Sequence, residues 1–204
     1  MKQIAILGST GSIGQSTLSI IQKYPERFRV ASLAAGRNVD AAFEQCVEWR
    51  PQVMSLATEE LADALRARLK AAGVTGVEVV HGTAGTVRVS TLPEADFVVS
   101  AIVGVAGLEA TYAAVQAGKP VGLANKEAMV AAGDLLNAAA REKNVPLLPI
   151  DSEHNAIHQC MRAGEKREIR RLWLTASGGP FRNLPLREFA NITVAQALKH
   201  PTWV

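Results

Sequence analysis

Cysteine is nearly missing from this sequence. The two present, Cys46 and Cys160, lie far apart and in no metal-type spacing, which argues against a thiolate metal site. They read as reduced, buried residues of a cytoplasmic protein. Long apolar runs are missing too: nothing approaches the ~20 residues needed to cross a bilayer. No long basic run exists either. The net charge is +3, and Lys and Arg are scattered among Asp and Glu. The densest stretch, Glu165-Lys166-Arg167-Glu168-Ile169-Arg170-Arg171, mixes both signs and reads as a solvated face. Neither nucleic acid nor a membrane is therefore expected as a partner. The first strand begins almost at Met1, which leaves no room for a signal or transit peptide. What remains is a chain of 204 residues, 48% hydrophobic, enough for one large domain or one domain plus part of a second. The isoelectric point near 9.0 fits a site for a phosphorylated anion.

Apolar runs alternate with amphipathic stretches of helix length. Strands are expected over residues 3–7, 29–33, 53–57, 77–80, 97–102, 120–124 and 146–150. Most are rich in Val, Ile and Leu with little alternation, the mark of parallel strands buried on both faces. In the first helix, Ile13, Thr17, Ile20, Ile21 and Tyr24 fall at helical spacing and are expected on one face. Residues 59–72 carry a stripe of Leu61, Leu65 and Leu69, with Gly73 as the stop. Residues 106–117 and 127–143 are Ala-rich helices suited to close packing on a sheet. The alternation with short connections predicts an α/β fold, a Rossmann-like doubly wound parallel sheet over residues 1–150. After Ile150 the pattern changes. A short helix at 153–161, a strand at 169–176, a Gly-rich loop and a helix at 194–199 read as the start of a second, α+β domain over 151–204. These elements cannot close a core alone, so the second domain is expected to be incomplete.

Gly8-Ser9-Thr10-Gly11-Ser12-Ile13-Gly14 directly follows the first strand and opens the first helix. Gly8 permits the tight turn, Gly11 lets a pyrophosphate approach the backbone, and Gly14 allows close packing of helix on strand. The N–H groups at the helix start, the helix dipole and the Thr10 and Ser12 hydroxyls all favour an anion. In the first strand–turn–helix of a βαβ unit, this spacing is a dinucleotide signature rather than an empty turn. The second strand ends Ala34-Ala35-Gly36-Arg37-Asn38, with no acid at its tip to bind a ribose 2′-hydroxyl. Arg37 could instead pair with a 2′-phosphate, so NADP is expected over NAD; the alternative is that Arg37 is a surface charge. Asp40 is the nearest acid and is expected in the first turn of the following helix.

Asp151-Ser152-Glu153-His154-Asn155 follows the last parallel strand, where ligands of open α/β sheets bind. Two neighbouring carboxylates suit Mg²⁺ or Mn²⁺, but the same residues suit ordinary helix capping, and spacing alone leaves both open. Lys126, between Asn125 and Glu127, opposes the dipole of its own helix, which suits pairing with a substrate oxygen or phosphate, though a solvated lysine is also a common reading. Ser177-Gly178-Gly179 could present a hydroxyl and backbone N–H groups to a phosphate, or could form a simple loop. His200 precedes a proline near Trp203, as in a binding loop, though a surface histidine explains it equally. His154 and His158 share a helical face and read as packing or capping residues.

Taken together and in order, Gly8–Gly14, Leu123-Ala124-Asn125-Lys126-Glu127, Asp151-Ser152-Glu153-His154, Thr175-Ala176-Ser177-Gly178-Gly179-Pro180-Phe181 and His200-Pro201-Thr202-Trp203 resemble the 1-deoxy-D-xylulose 5-phosphate reductoisomerase family over the whole chain. The resemblance implies NADPH- and metal-dependent rearrangement and reduction of that sugar phosphate to 2-C-methyl-D-erythritol 4-phosphate, in non-mevalonate isoprenoid synthesis. It implies Thr10, Gly11, Ser12, Ile13, Gly36, Arg37, Asn38, Asn125 and Glu127 as the NADPH site. It implies Asp151 and Glu153 as ligands of Mg²⁺ or Mn²⁺. Lys126, Ser152, Glu153, Ser177 and His200 would contact substrate, and Trp203 would belong to a closing flap. The family's flap continues beyond this Trp, and a later Asn-Lys-x-x-Glu segment and a helical C-terminal domain follow. These 204 residues are therefore expected to bind NADPH without turning over substrate. The homodimer expected of the complete protein is not carried over to them. Two competing readings are an NADP-dependent semialdehyde or homoserine-type dehydrogenase, which would not need the Asp151/Glu153 pair, and a non-enzymatic NADP(H)-sensing module.

Overall fold

The seven strands expected over residues 1–150 all form, and they form one sheet. The computed structural model describes residues 1–175 and 179–199. The strands are β1 (Lys2–Leu7), β2 (Phe28–Ala34), β3 (Val53–Leu56), β4 (Glu78–His81), β5 (Phe97–Ser100), β6 (Val121–Leu123) and β7 (Leu147–Pro149). They pair in parallel in the order β4-β3-β2-β1-β5-β6-β7. The order reverses at β1: the chain works outward through β2, β3 and β4, then returns to β1's other side with β5.

β1 shows why its sequence is apolar from Ile4 onward. Ile4 and Ile6 join one core cluster, while Ala5 and Leu7 join the other. A strand covered on both faces has no polar side. The first cluster takes Leu18 and Ile21 from α1 (Ser12–Lys23), Ala42 and Cys46 from α2 (Val39–Trp49), and Ala62, Leu65 and Leu69 from α3 (Glu59–Ala71). The second takes Val89 from α4 (Gly82–Ser90), Ala110 and Ala114 from α5 (Leu108–Gln116), and Ala139 and Ala140 from α6 (Lys126–Lys143). The alanines let α5 and α6 lie close to the strands. Asn38 caps α2 by accepting the Ala41 N–H at 3.0 Å, and Thr58 caps α3 by accepting that of Leu61. α3 also places Glu59 and Glu60 in its first turn and Arg68 and Lys70 in its last, complementing the helix dipole.

By connectivity the chain divides into two compact units, Met1–Asp151 and Ser152–Val204. The second holds α7 (Ser152–Met161), short 3-10 turns at Lys166–Glu168, Gly179–Phe181 and Leu186–Asn191, and α8 (Val194–Ala197). None of its described residues is buried.

Four expectations are corrected. The inward face of α1 is Gly14, Leu18 and Ile21, whereas Ile13, Ile20 and Tyr24 are exposed. Gly14 presses against the preceding loop, and that close contact sets the helix's rotation. The helix expected from residue 106 begins as a 3-10 turn, Gly104–Gly107, before α5. The strand expected at 169–176 is absent from its described part, 169–175, where Leu172, Trp173 and Leu174 are exposed. Apolar β-formers make a strand only beside a hydrogen-bonding neighbour, and no described segment of this unit supplies one. Finally, Cys46 is buried, but Cys160 is exposed on α7. The buried Cys46 thiol is pushed up to about 12 by desolvation, so it stays protonated and inert.

Candidate functional site

Because every strand is parallel, the loops leaving β1, β2, β5, β6 and β7 all emerge on one edge of the sheet. Ligands of such sheets settle where the strand order reverses, here between β1 and β5. The loop between β1 and α1 lies at that point. Gly8 turns with φ +86, and a Cβ there would stand 2.6 Å from the Ala101 carbonyl oxygen beyond β5. The Gly8 and Ser9 N–H groups both donate to the Ala34 carbonyl, at 2.8 and 2.9 Å, which anchors the loop to the end of β2. Gly14 is tighter still: a Cβ there would fall 2.3 Å from the Gly8 carbonyl oxygen.

Gly11 is different. Its φ of −78° suits any residue, and a Cβ would meet only the Gly8 carbonyl oxygen, at an ordinary 3.4 Å. Neither the backbone nor the packing requires glycine here. Gly11 is exposed at the N-terminus of α1, whose first N–H groups have no carbonyl of their own helix to reach. Glycine is explained if a ligand's phosphate needs the space a methyl would take. Thr10 is half-buried beside it, and Ser12 and Ile13 are exposed.

At the end of β2, Gly36, Arg37 and Asn38 are exposed, and the space around the Gly36 Cα is open. The acid nearest this strand end is already engaged: Asp40, in the first turn of α2, pairs with Arg68 of α3. Arg68 also lies over the Phe43 ring, 4.6 Å from its centroid.

On the other side of the reversal, Asn125 caps α6 and is 5% exposed. Its carbonyl oxygen accepts the Ala128 N–H, and its amide donates to the carbonyls of Ile102, at 2.6 Å, and Gly104. The side chain is thus a staple that ties the loop after β5 to the start of α6. Lys126 and Glu127 follow in the first turn of α6, both exposed. Asp151 ends the first unit two residues after β7. Ser152 and Glu153 belong to the first turn of α7, in the second unit. Ser177, His200 and Trp203 lie outside the described residues. The structure therefore brings together residues 8–14, 36–38, 101–107 and 125–127 along one edge of the first unit.

Sequence reasoning missed Gln45. This residue of α2 is buried against the glycine loop. The Ser9 hydroxyl donates to Gln45 Oε1 at 2.7 Å, and Gln45 Nε2 donates to the Ser9 carbonyl at 3.1 Å. No local pattern marks it, because its partner is 36 positions away.

The family model described as 1-deoxy-D-xylulose 5-phosphate reductoisomerase matches residues 4–133, and the model for the C-terminal domain of that enzyme matches residues 147–204. The reductoisomerase of Anaeromyxobacter sp. (strain K) is 54% identical over 203 residues, covering 100% of this chain and 51% of that protein. That of Solibacter usitatus is 51% identical, with 100% and 52% covered. The chain thus spans about half the length of the curated relatives it matches. Among solved structures, DOX-P reductoisomerase in complex with NADPH, fosmidomycin and magnesium superposes with a TM-score of 0.83 at 39% identity, covering 100% of this chain and 52% of that one. The Zymomonas mobilis enzyme in complex with NADPH gives 0.83 at 41% identity, with 98% and 52% covered. The glycine loop at the strand-order reversal and these matches across both units agree: the chain belongs to the 1-deoxy-D-xylulose 5-phosphate reductoisomerase family.

Proposed function

We propose that residues 1–150 are an NADPH-binding domain and that residues 151–204 begin a catalytic, metal-binding domain. In the complete protein the two would rearrange and reduce 1-deoxy-D-xylulose 5-phosphate to 2-C-methyl-D-erythritol 4-phosphate. The observation that carries this reading is Gly11, a glycine at the strand-order reversal that the protein's own packing does not require. The pyrophosphate would lie over Thr10, Gly11, Ser12 and Ile13, and the adenosine end over Gly36, Arg37 and Asn38. Asn125 and Glu127 would border the cofactor from the far side of the reversal. Family membership and the NADPH complexes of relatives support the assignment.

Asp151 and Glu153 offer hard carboxylate oxygens two positions apart in the chain, the donor chemistry that suits Mg²⁺ or Mn²⁺. Among the described residues no group of three or more His, Cys, Asp or Glu is assembled for a metal. These two would therefore share the ion with oxygens from elsewhere, substrate included. A bound ion would supply Lewis-acid stabilisation of developing oxyanion charge. Lys126, Ser152, Glu153, Ser177 and His200 would hold the phosphorylated sugar, and Trp203 would belong to a flap that excludes water. The protein's task at the first unit is to orient the cofactor's hydride.

The test is NADPH oxidation, followed by absorbance, with 1-deoxy-D-xylulose 5-phosphate and Mg²⁺ or Mn²⁺. The full-length protein would be run beside residues 1–204. Metal-dependent oxidation by the full-length protein alone, with NADPH binding by both, is the expected result. Oxidation of NADPH that ignores chelators would favour a metal-independent dehydrogenase. No oxidation by a full-length protein that binds NADPH would leave a nucleotide sensor.

A further inference from the structure

We infer that Gln45 is a positioning residue for the cofactor: it sets the phosphate loop at a fixed distance from the adenosine end of the site. The inference rests on the NADPH reading above. Ser9, at the heart of the loop, is fully buried, and Gln45 is 5% exposed. Gln45 grips Ser9 from both sides, accepting from its hydroxyl and donating to its carbonyl. The Ser9 N–H is held separately by the Ala34 carbonyl. Every polar group of Ser9 is therefore engaged, and two of the three bonds go to one side chain.

The helix that supplies Gln45 gives the pair its reach. α2 begins at the Asn38 cap, directly after Arg37, the candidate partner for a 2′-phosphate. Gln45 lies seven residues beyond that cap, about 10 Å along the helix axis. One rigid element thus carries the adenosine end and clamps the pyrophosphate loop. A dinucleotide that touches both places is bound well only if their spacing is held before it arrives, because ordering a loose loop costs affinity. Loss of the clamp leaves the buried Ser9 hydroxyl and carbonyl without partners, and the loop must shift to find others.

The test is Gln45→Met in the full-length protein, which keeps the side chain's length and removes both hydrogen bonds. Ser9→Ala is the milder second variant, since it deletes one bond and leaves the other. Affinities for NADPH and for adenosine 2′-monophosphate are measured by titration. The nucleotide monophosphate occupies only the Arg37 end. Gln45→Met should weaken NADPH by about tenfold or more and leave adenosine 2′-monophosphate within about twofold. Its KM for NADPH should rise while kcat holds. Ser9→Ala should move the same way by a smaller factor. Unchanged NADPH affinity in both variants, or equal losses for the two ligands, would overturn the inference and leave Gln45 a structural residue. Wild-type protein that binds neither ligand would sink the cofactor reading itself.

Discussion

The glycines of the loop make different demands, and substitution separates them. At Gly14 an added methyl collides with the Gly8 carbonyl and with Ser9 backbone atoms 2.6 Å away, all of them backbone. Gly14→Ala must push α1 off the loop, at a cost of about 1–3 kcal/mol in unfolding free energy, read by chemical denaturation. At Gly11 the methyl meets ordinary contact and an ordinary φ. Gly11→Ala should leave stability within about 0.5 kcal/mol of wild type and weaken NADPH by about tenfold or more. A Gly11→Ala protein with wild-type NADPH affinity would show that no phosphate approaches this backbone. Arg37 is tested by ligand choice. One charged hydrogen bond contributes about 1.5–3 kcal/mol, so Arg37→Ala should lose about ten- to hundredfold in NADPH affinity and little in NADH affinity. Equal losses for both would place Arg37 away from the 2′-phosphate. The acid nearest in the chain, Asp40, pairs with Arg68.

At the scale of elements, Lys119 has a fixed structural task. It lies just before β6 and is 8% exposed. Its ammonium donates to the carbonyls of Ala95, at 2.6 Å, and Pro93, at 3.4 Å, and so ties β6 to the turn that leads into β5. Burial holds its pKa below the usual 10.5, against the opposing pull of Asp96 and Glu94. A lysine depressed in the folded state binds fewer protons there than in the unfolded chain. Its contribution to stability therefore rises with pH, from the folded pKa up to 10.5. Lys119→Met should remove that slope, so the stability of wild type relative to the variant should increase toward pH ~10. A pH-independent difference, measured by denaturation at several pH values, would contradict this. The elements also differ in how legible they were. The strands could be read because burial on both faces leaves continuous apolar runs. α4 could not: Gly82, Thr83, Gly85 and Thr86 are poor helix formers. It forms where Gly85 docks so closely that a Cβ would stand 2.7 Å from the Ser55 hydroxyl on β3. The inward face of α1 depends likewise on Gly14 meeting a loop, and the 169–176 stretch on a neighbour that its own sequence cannot supply. In the proposed site, the glycines and Arg37 carry local signals, whereas Gln45 is marked only by a contact made by folding.

At the scale of the whole molecule, both core clusters lie entirely within residues 1–151, and no described residue beyond them is buried. A chain of about 150 residues buries roughly 68–70% of its unfolded surface, enough for an independent domain. Residues 1–151 expressed alone should therefore unfold cooperatively, while residues 152–204 alone should show no cooperative transition. The same piece contains the whole proposed NADPH site, so ligand should stabilise it by mass action. At a free concentration 100 times Kd the gain is about 2.7 kcal/mol. For a domain of this size that corresponds to a rise in Tm of about 5–11 °C. The Gly11→Ala version of the piece should start from the same Tm and gain less at equal NADPH, because only its Kd has changed. A calorimetric scan of the two proteins with and without NADPH separates folding from binding in one experiment. A piece that melts cooperatively yet ignores NADPH would mean that cofactor binding depends on residues after 151, and the site would have to be extended into the second unit.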